Sequence, residues 1–245
     1  MGISGKATRR LAQLYVGLAG YGVSMALMVE ARLGNQPWDV FHQGLGRHLG
    51  LSFGTVSVLV GAFVLLLWIP LRQRPGIGTV SNVFVVGLTA NLAMTLLPSP
   101  QPLAARIGFL VGGVLLCGLS SGLYIGARLG PGPRDGLMTG LAARGLSIRV
   151  ARTGVEVTVV AIGWLLGGTL GIGTIVYALA IGPLVQIFLR WFTVHPAPAS
   201  PPEPAPAPLP PAAAVPGSLP MPLPAAMPEL PAAPVPGTET LPLTT

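Results

Sequence analysis

From residue 11 to residue 192 the chain alternates long oily runs with short polar interruptions, and beyond residue 192 that rhythm stops. Six runs stand out: Leu11–Val29, Phe53–Leu71, Thr79–Leu97, Ile107–Gly126, Thr153–Leu170 and Ile172–Phe192. A helix rises about 1.5 Å per residue, so each run is long enough to cross a hydrocarbon layer of about 30 Å. Apolarity within the runs is continuous, whereas barrel strands alternate with period two. The pattern predicts an all-α polytopic membrane protein with six transmembrane helices. The first run follows Lys6, Arg9 and Arg10, as the core of a secretory leader would. No small-x-small cleavage site follows it, and its counterpart at Ile107–Gly126 lies mid-chain, so it is expected to remain a membrane span.

The polar interruptions repeat. "ARLGNQPWD" at 31–39 returns as "ARLGPGPRD" at 127–135. At an offset of 96 positions, Gly22, Ser24 and Leu27 also meet Gly118, Ser120 and Leu123, while Pro37 and Asp39 meet Pro133 and Asp135. After one deletion "GIGTV" at 76–80 meets "GIGTI" at 171–175. Shared Gly, Pro and Asp positions are not apolar filler, so the chain reads as two copies of one unit. Each copy holds three spans, and an odd number makes the second copy enter the membrane from the opposite side, a 3+3 inverted repeat. The expected organisation is a cytoplasmic N-terminus at 1–10, repeats at 11–97 and 107–192 joined by an external linker at 98–106, and a tail at 193–245.

Charge supports this orientation. With the N-terminus inside, Lys6, Arg9, Arg10, Arg72, Arg74, Arg128, Arg134, Arg144, Arg149, Arg152 and Arg190 face the cytoplasm, and Arg32, Arg47 and Arg106 face out. Eleven basic residues against three is a positive-inside bias. Both termini are expected in the cytoplasm of a bacterial plasma membrane, with the two related polar loops on opposite sides. Only 9% of residues are charged, against about 25% in soluble domains, so the lipid bilayer is the principal partner. The net charge of +7 does not point to nucleic acid, because the basic residues punctuate the oily runs instead of clustering with aromatics on one face.

Each loop carries a short helix. In "NQPWDVFHQGLGRHLG" Trp38, Phe41, Leu45 and Leu49 share one face, and Pro37 suits a first helical turn. Such a helix is too short to span, so it lies in the interface or dips in and returns. "GPRDGLMTGLAARGL" repeats it with weaker amphipathicity. Gly118, Gly122 and Gly126 stand four apart on one face, with Gly22 and Ala26 on the corresponding face of the first span. Small residues at that spacing let backbones approach, and they predict packing of the first span against the fourth.

"LGNQPWDVFHQGLG", with "GTVSVLVG" and "GIGTVSNVFVVG" after it, resembles the bacterial YczE-type membrane proteins, relatives of the YitT-like group. The resemblance covers roughly residues 10–192 and implies a multi-span plasma-membrane protein without a defined activity. The second copy departs from the motif, with Arg134 where the first has Trp38, so a role for that tryptophan does not transfer between copies.

Candidate chemistry is sparse. Asp39 and Asp135 either line a solute or ion site formed by two dipping loops, as in transporters with broken helices, or serve only their own helix dipoles. An aspartyl dyad would need the carboxylates in contact, and opposite-side loops argue against that. Trp38, His42, Gln43 and Arg134 travel with these aspartates as pathway candidates, although an exposed interfacial position is the commoner one for His42. Glu156 is an acid inside the fifth span, and Arg152 four residues earlier is placed to pair with it. Asn82 joins the candidate list from the third span, where a helix-bridging role is the simpler one. "GIGT" reads as a tight turn with Thr79 and Thr174 as N-caps. Cys117 lies in an apolar run and reads as an inert thiol. Nothing resembles a nucleotide loop, a metal set or a catalytic triad, so no enzyme activity, cofactor or metal is expected. Residues 196–245 hold 18 of the 27 prolines and predict a disordered cytoplasmic tail, a spacer or a docking segment for a protein partner. The sequence thus points to a small-solute transporter or permease-like protein, with a membrane-embedded accessory protein that stabilises or localises a partner as the alternative.

Overall fold

The computed structural model describes residues 3–193, and among these only helices and connecting turns form. The tail expected from 193 onward otherwise lies outside the described residues. Eight helices follow in order: α1 (Ile3–Ala31), α2 (Pro37–Leu49), α3 (Phe53–Leu71), α4 (Ile77–Leu96), α5 (Leu103–Gly126), α6 (Pro133–Ala142), α7 (Ile148–Leu165) and α8 (Ile172–Phe192). Five of them, α1, α3, α4, α5 and α8, are long and apolar enough to cross a membrane. They carry the apolar side chains that water would reject: Phe63, Ile69, Leu96, Leu179 and Trp191 all point outward.

The fifth oily run differs from its expectation. The helix begins at Ile148 instead of Thr153 and so takes in Arg149 and Arg152 besides Glu156, three charged residues among its 18. It also ends at Leu165, because Gly167 turns left-handed at φ 86° and Gly168 sits against the carbonyl of Val40, where no side chain fits. The GIGT turns differ too. Gly76 and Gly171 are the N-caps, and Thr79 and Thr174 lie in the first turns. Their hydroxyls accept from the Gly76 and Gly171 N–H groups at 3.2 and 3.4 Å, so each threonine serves the helix start from inside it.

The long helices are arranged in two matching pairs. Gly17 of α1 lies by Leu123 and Tyr124 of α5, and Gly113 of α5 lies by Ser24 and Met28, so α1 and α5 run antiparallel. Tyr15 reaches Ser81 and Gly22 touches Thr89, so α4 runs parallel to α1. Gly118, Gly122 and Gly126 rest on Leu184, Phe188 and Phe192, so α8 runs parallel to α5. These contacts correct the expected partner of the glycine face. Gly118, Gly122 and Gly126 receive α8, and Gly22 receives α4, while α1 and α5 meet through Gly17, Gly20, Gly113 and Ser120. The reason is angular. Residues five apart are displaced by about 140° around a helix, so Gly22 and Gly118 point away from the faces of Gly17 and Gly113.

The repeated polar motif explains how the halves join. Arg32 and Arg128 end α1 and the turn after α5 with left-handed φ of 53° and 54°. The carbonyls left free at those ends are taken by arginines from the other half. Arg106 donates to Ala31 O and Arg32 O, each at 2.8 Å, and Arg10 donates to Ala127 O and Arg128 O at the same distances. A guanidinium fork also opposes the negative end of the helix dipole there. The following residues cross over as well. Gly173 N–H donates to Leu33 O at 2.8 Å and Gly78 N–H to Leu129 O at 2.9 Å. At the far ends of the short helices Arg47 donates to Gly167 O and Arg144 to Pro70 O.

Close backbone approach gives a direct test. A Cβ at Gly163 would collide with the backbone of Val40 and Phe41 where α2 crosses α7, whereas a Cβ at Gly182 meets nothing within 4 Å. Gly163→Ala should destabilise the fold by about 1–3 kcal/mol through overpacking. Gly182→Ala should be neutral or slightly stabilising, as alanine favours a helix by up to about 1 kcal/mol over glycine. Melting curves of both variants in one detergent compare them.

Candidate functional site

The short helices α2 and α6 begin alike, with proline in the first turn and an acid two residues later: Pro37 and Asp39, Pro133 and Asp135. Proline costs nothing there because the first N–H groups of a helix have no partner inside it. α2 is pinned by Gly44 against Gly163 and Leu166, and α6 by Gly136 beneath the Trp68 indole, whose Nε1 donates to Pro133 O at 3.1 Å. So held, the two N-terminal turns face one another in the interior. Arg134 Nη2 lies 3.8 Å from Asp39 Oδ1, and its guanidinium carbon stands 5.1 Å from the centre of the Trp38 ring. Trp38 and Arg134 stand at matching places in the two short motifs, Pro-Trp-Asp and Pro-Arg-Asp.

Asp39 is wholly buried. Its Oδ2 accepts from Gln36 Nε2 at 2.5 Å, and Gln36 Oε1 accepts from the Tyr21 hydroxyl at 3.0 Å. Its Oδ1 has no hydrogen bond and is balanced only by charge and proximity, with His42 Nδ1 at 3.4 Å and Arg134 beyond it. On the other side Asp135 Oδ2 accepts from the Tyr124 hydroxyl at 3.3 Å, and the Tyr21 and Tyr124 rings meet edge to face at 6.1 Å. Between these groups lies a small cavity. Trp38, His42, Asn82, Arg134 and Asp135 contribute its polar wall with the two tyrosines, and Val60, Val64, Val83 and Val86 its apolar wall. The mixture of an apolar wall and a few polar groups is the usual composition of a small-molecule site.

Five of the eight pathway candidates therefore line one cavity, and Asp39 stands behind it as the partner of Arg134. The remaining two lie elsewhere. Gln43 accepts from Asn35 Nδ2 at 3.2 Å and from Thr169 N–H at 2.6 Å, which ties the loop before α2 to the one before α8. Glu156 pairs with Arg152 at 3.0 Å on the outside of α7, away from the cavity walls. His42 is 1% exposed, not at a wet interface, because α2 turns that side toward Asp39 and the Phe53 ring. Tyr21, Tyr124 and Ser57 were not legible as site residues. Single polar groups inside oily helices carry no spacing, and neither tyrosine has a tyrosine at its equivalent position in the other copy. On the far side of Trp38 an apolar cleft runs between α3 and α7, lined by Leu59, Phe63, Val155 and Thr158.

Apolar helices facing outward around a buried polar centre define a helical membrane protein. A family of unknown function (DUF6198) matches residues 8–190, and the chain belongs to it. The chain is 40% identical over 178 residues to an uncharacterized protein of Haemophilus influenzae, covering 72% of this chain and 82% of that one. It is 33% identical over 174 residues to the uncharacterized membrane protein YczE of Bacillus subtilis, covering 70% and 80%. YyaS of the same organism, an uncharacterized protein, is 25% identical over 181 residues, covering 71% and 89%. No solved structure matches the chain.

The two ion pairs differ in what surrounds them, and that sets their worth. Arg134→Gln leaves the buried Asp39 charge without its cation and should cost about 3–5 kcal/mol. Glu156→Gln removes a half-exposed pair and should change stability by no more than about 0.5 kcal/mol. Thermal unfolding of the purified variants reads the difference.

Proposed function

We propose that this protein is a small-solute carrier of the bacterial plasma membrane, with its substrate site in the cavity between α2 and α6. The observation that carries the reading is the Arg134–Asp39–Trp38 meeting, which brings two short helices from different halves of the chain to one polar centre. In this reading α7 is the sixth crossing. Its 18 residues extend about 27 Å as a helix, and its charges Arg149, Arg152 and Glu156 gather near one end. Three crossings then follow three, related by inversion, with both termini in the cytoplasm. The antiparallel course of α1 and α5 supports the inversion, as do the exchanged arginine caps. α2 enters from outside and α6 from inside, and both turn back at the centre. Carriers of this kind place substrates near the midplane at broken helices between repeats, and rocking of one half against the other exposes the site to each side in turn. Arg10 and Arg106 act as hinges between halves in that motion, while the apolar cleft between α3 and α7 gives it room. No bond is made or broken in this activity.

Two measurements test this. Cysteines placed at the exposed ends of the short helices should label differently: His48→Cys should react with an impermeant maleimide added to intact cells, and Ala143→Cys only after the membrane is opened; equal labelling of both in intact cells overturns the inversion. In proteoliposomes Asp135→Asn should reduce solute flux at least tenfold while the protein stays folded, and deletion of residues 194–245 should leave flux unchanged. Loss of activity on deleting the tail alone would favour the accessory reading.

A further inference from the structure

The chemistry of the cavity wall narrows the solute class. Two residues of the cavity wall carry unused donors. Trp38 is 6% exposed and its Nε1 has no hydrogen-bond partner. The Arg134 guanidinium lies over the Trp38 ring and near Asp39, yet among the described residues it makes no hydrogen bond. An arginine fork beside an indole N–H is matched by the two oxygens of a carboxylate, which accepts from both. Asp135, the next residue along α6, also lines the cavity; it receives one hydrogen bond, from Tyr124, and keeps its remaining acceptor capacity, with Asn82 nearby on the wall. That carboxylate seeks a donor, and best of all a cationic one.

Charge decides what joins the two. With His42 neutral and both aspartates ionised, Arg134 against Asp39 and Asp135 leaves the buried centre one negative charge in excess. A simple carboxylate would add a second uncompensated negative charge in a low-dielectric interior. A simple amine would satisfy Asp135 and leave the Arg134 and Trp38 donors unpartnered. A solute carrying both groups adds no net charge and answers both demands. We infer that the cavity binds a small zwitterion of amino-acid size, its carboxylate on Arg134 and Trp38 Nε1, its ammonium on Asp135 and its aliphatic part against Val60, Val64, Val83 and Val86. The inference rests on the reading of this cavity as a solute site, and it specifies that site's ligand.

Isothermal titration of the full chain in lipid nanodiscs tests it with three probes: alanine, propionate and ethylamine. Alanine should bind saturably, and propionate and ethylamine at least tenfold more weakly. Arg134→Lys keeps the charge but loses the fork, and it should abolish alanine binding. Because that variant disturbs a buried pair, Trp38→Phe serves beside it. It keeps an aromatic ring under Arg134 and loses the Nε1 donor together with the five-membered ring, so alanine should bind roughly tenfold more weakly while the protein still unfolds cooperatively. Propionate or ethylamine binding as tightly as alanine overturns the inference. So does the absence of saturable alanine binding, or a Trp38→Phe variant with wild-type affinity. Saturable alanine binding without alanine flux in proteoliposomes overturns carriage and leaves the zwitterion site standing.

Discussion

The architecture depends on one buried encounter: a guanidinium from α6 held between the carboxylate of Asp39 and the face of Trp38 on α2. A charge in an apolar interior is tolerated only when paired, so Asp39 and Arg134 each require the other. Their helices are too short to reach across a bilayer, and each is fixed by glycine contacts with longer neighbours, Gly44 and Gly163 on one side and Gly136 beneath Trp68 on the other. Moving either helix outward would strand a charge. The pair thus acts as a registration mark between the halves of the chain.

The same logic of mutual dependence recurs at the periphery. An apolar helix ends with free carbonyls that lipid cannot satisfy, and in this chain each half satisfies the other. Arg106 serves the end of α1 and Arg10 the turn after α5, with the same atoms at the same distances. The repeated ARLG motif accordingly has a structural duty before any functional one. Its arginine turns the chain left-handed, and the residues around it present carbonyls to a guanidinium from the opposite copy. Symmetry in these supports contrasts with asymmetry at the centre, where tryptophan in one copy faces arginine in the other.

Division of labour along α2 follows from this. The side bearing Asp39 and His42 turns to the polar centre, while Phe41 and Leu45 pack toward the apolar cleft and the cluster around Trp68 and Val64. Trp38 lies at the boundary of both, lining the polar cavity and the apolar cleft together. Asp135 answers Asp39 differently, through Tyr124 instead of a cation, so the two equivalent acids end in different electrostatic surroundings.

Much of the fold was legible because it is local. Continuous apolar runs fix where α1, α3, α4, α5 and α8 lie, and Pro37 and Pro133 mark the starts of α2 and α6 through backbone preferences that need no neighbour. The pairing of Arg152 with Glu156 comes from the sequence for the same reason. What the sequence could not state is which faces meet. It held two small-residue faces on α5 and could not say that Gly118, Gly122 and Gly126 take α8 while Gly113 takes α1. It placed His42 in an exposed position because burial there depends on α3 and α6. It set Trp38 and Arg134 apart as a mismatch, when tertiary structure stacks one upon the other. Periodicity encodes what residues a few positions apart do together, and contacts between residues about a hundred positions apart are decided only when the halves dock and their charges must be paired.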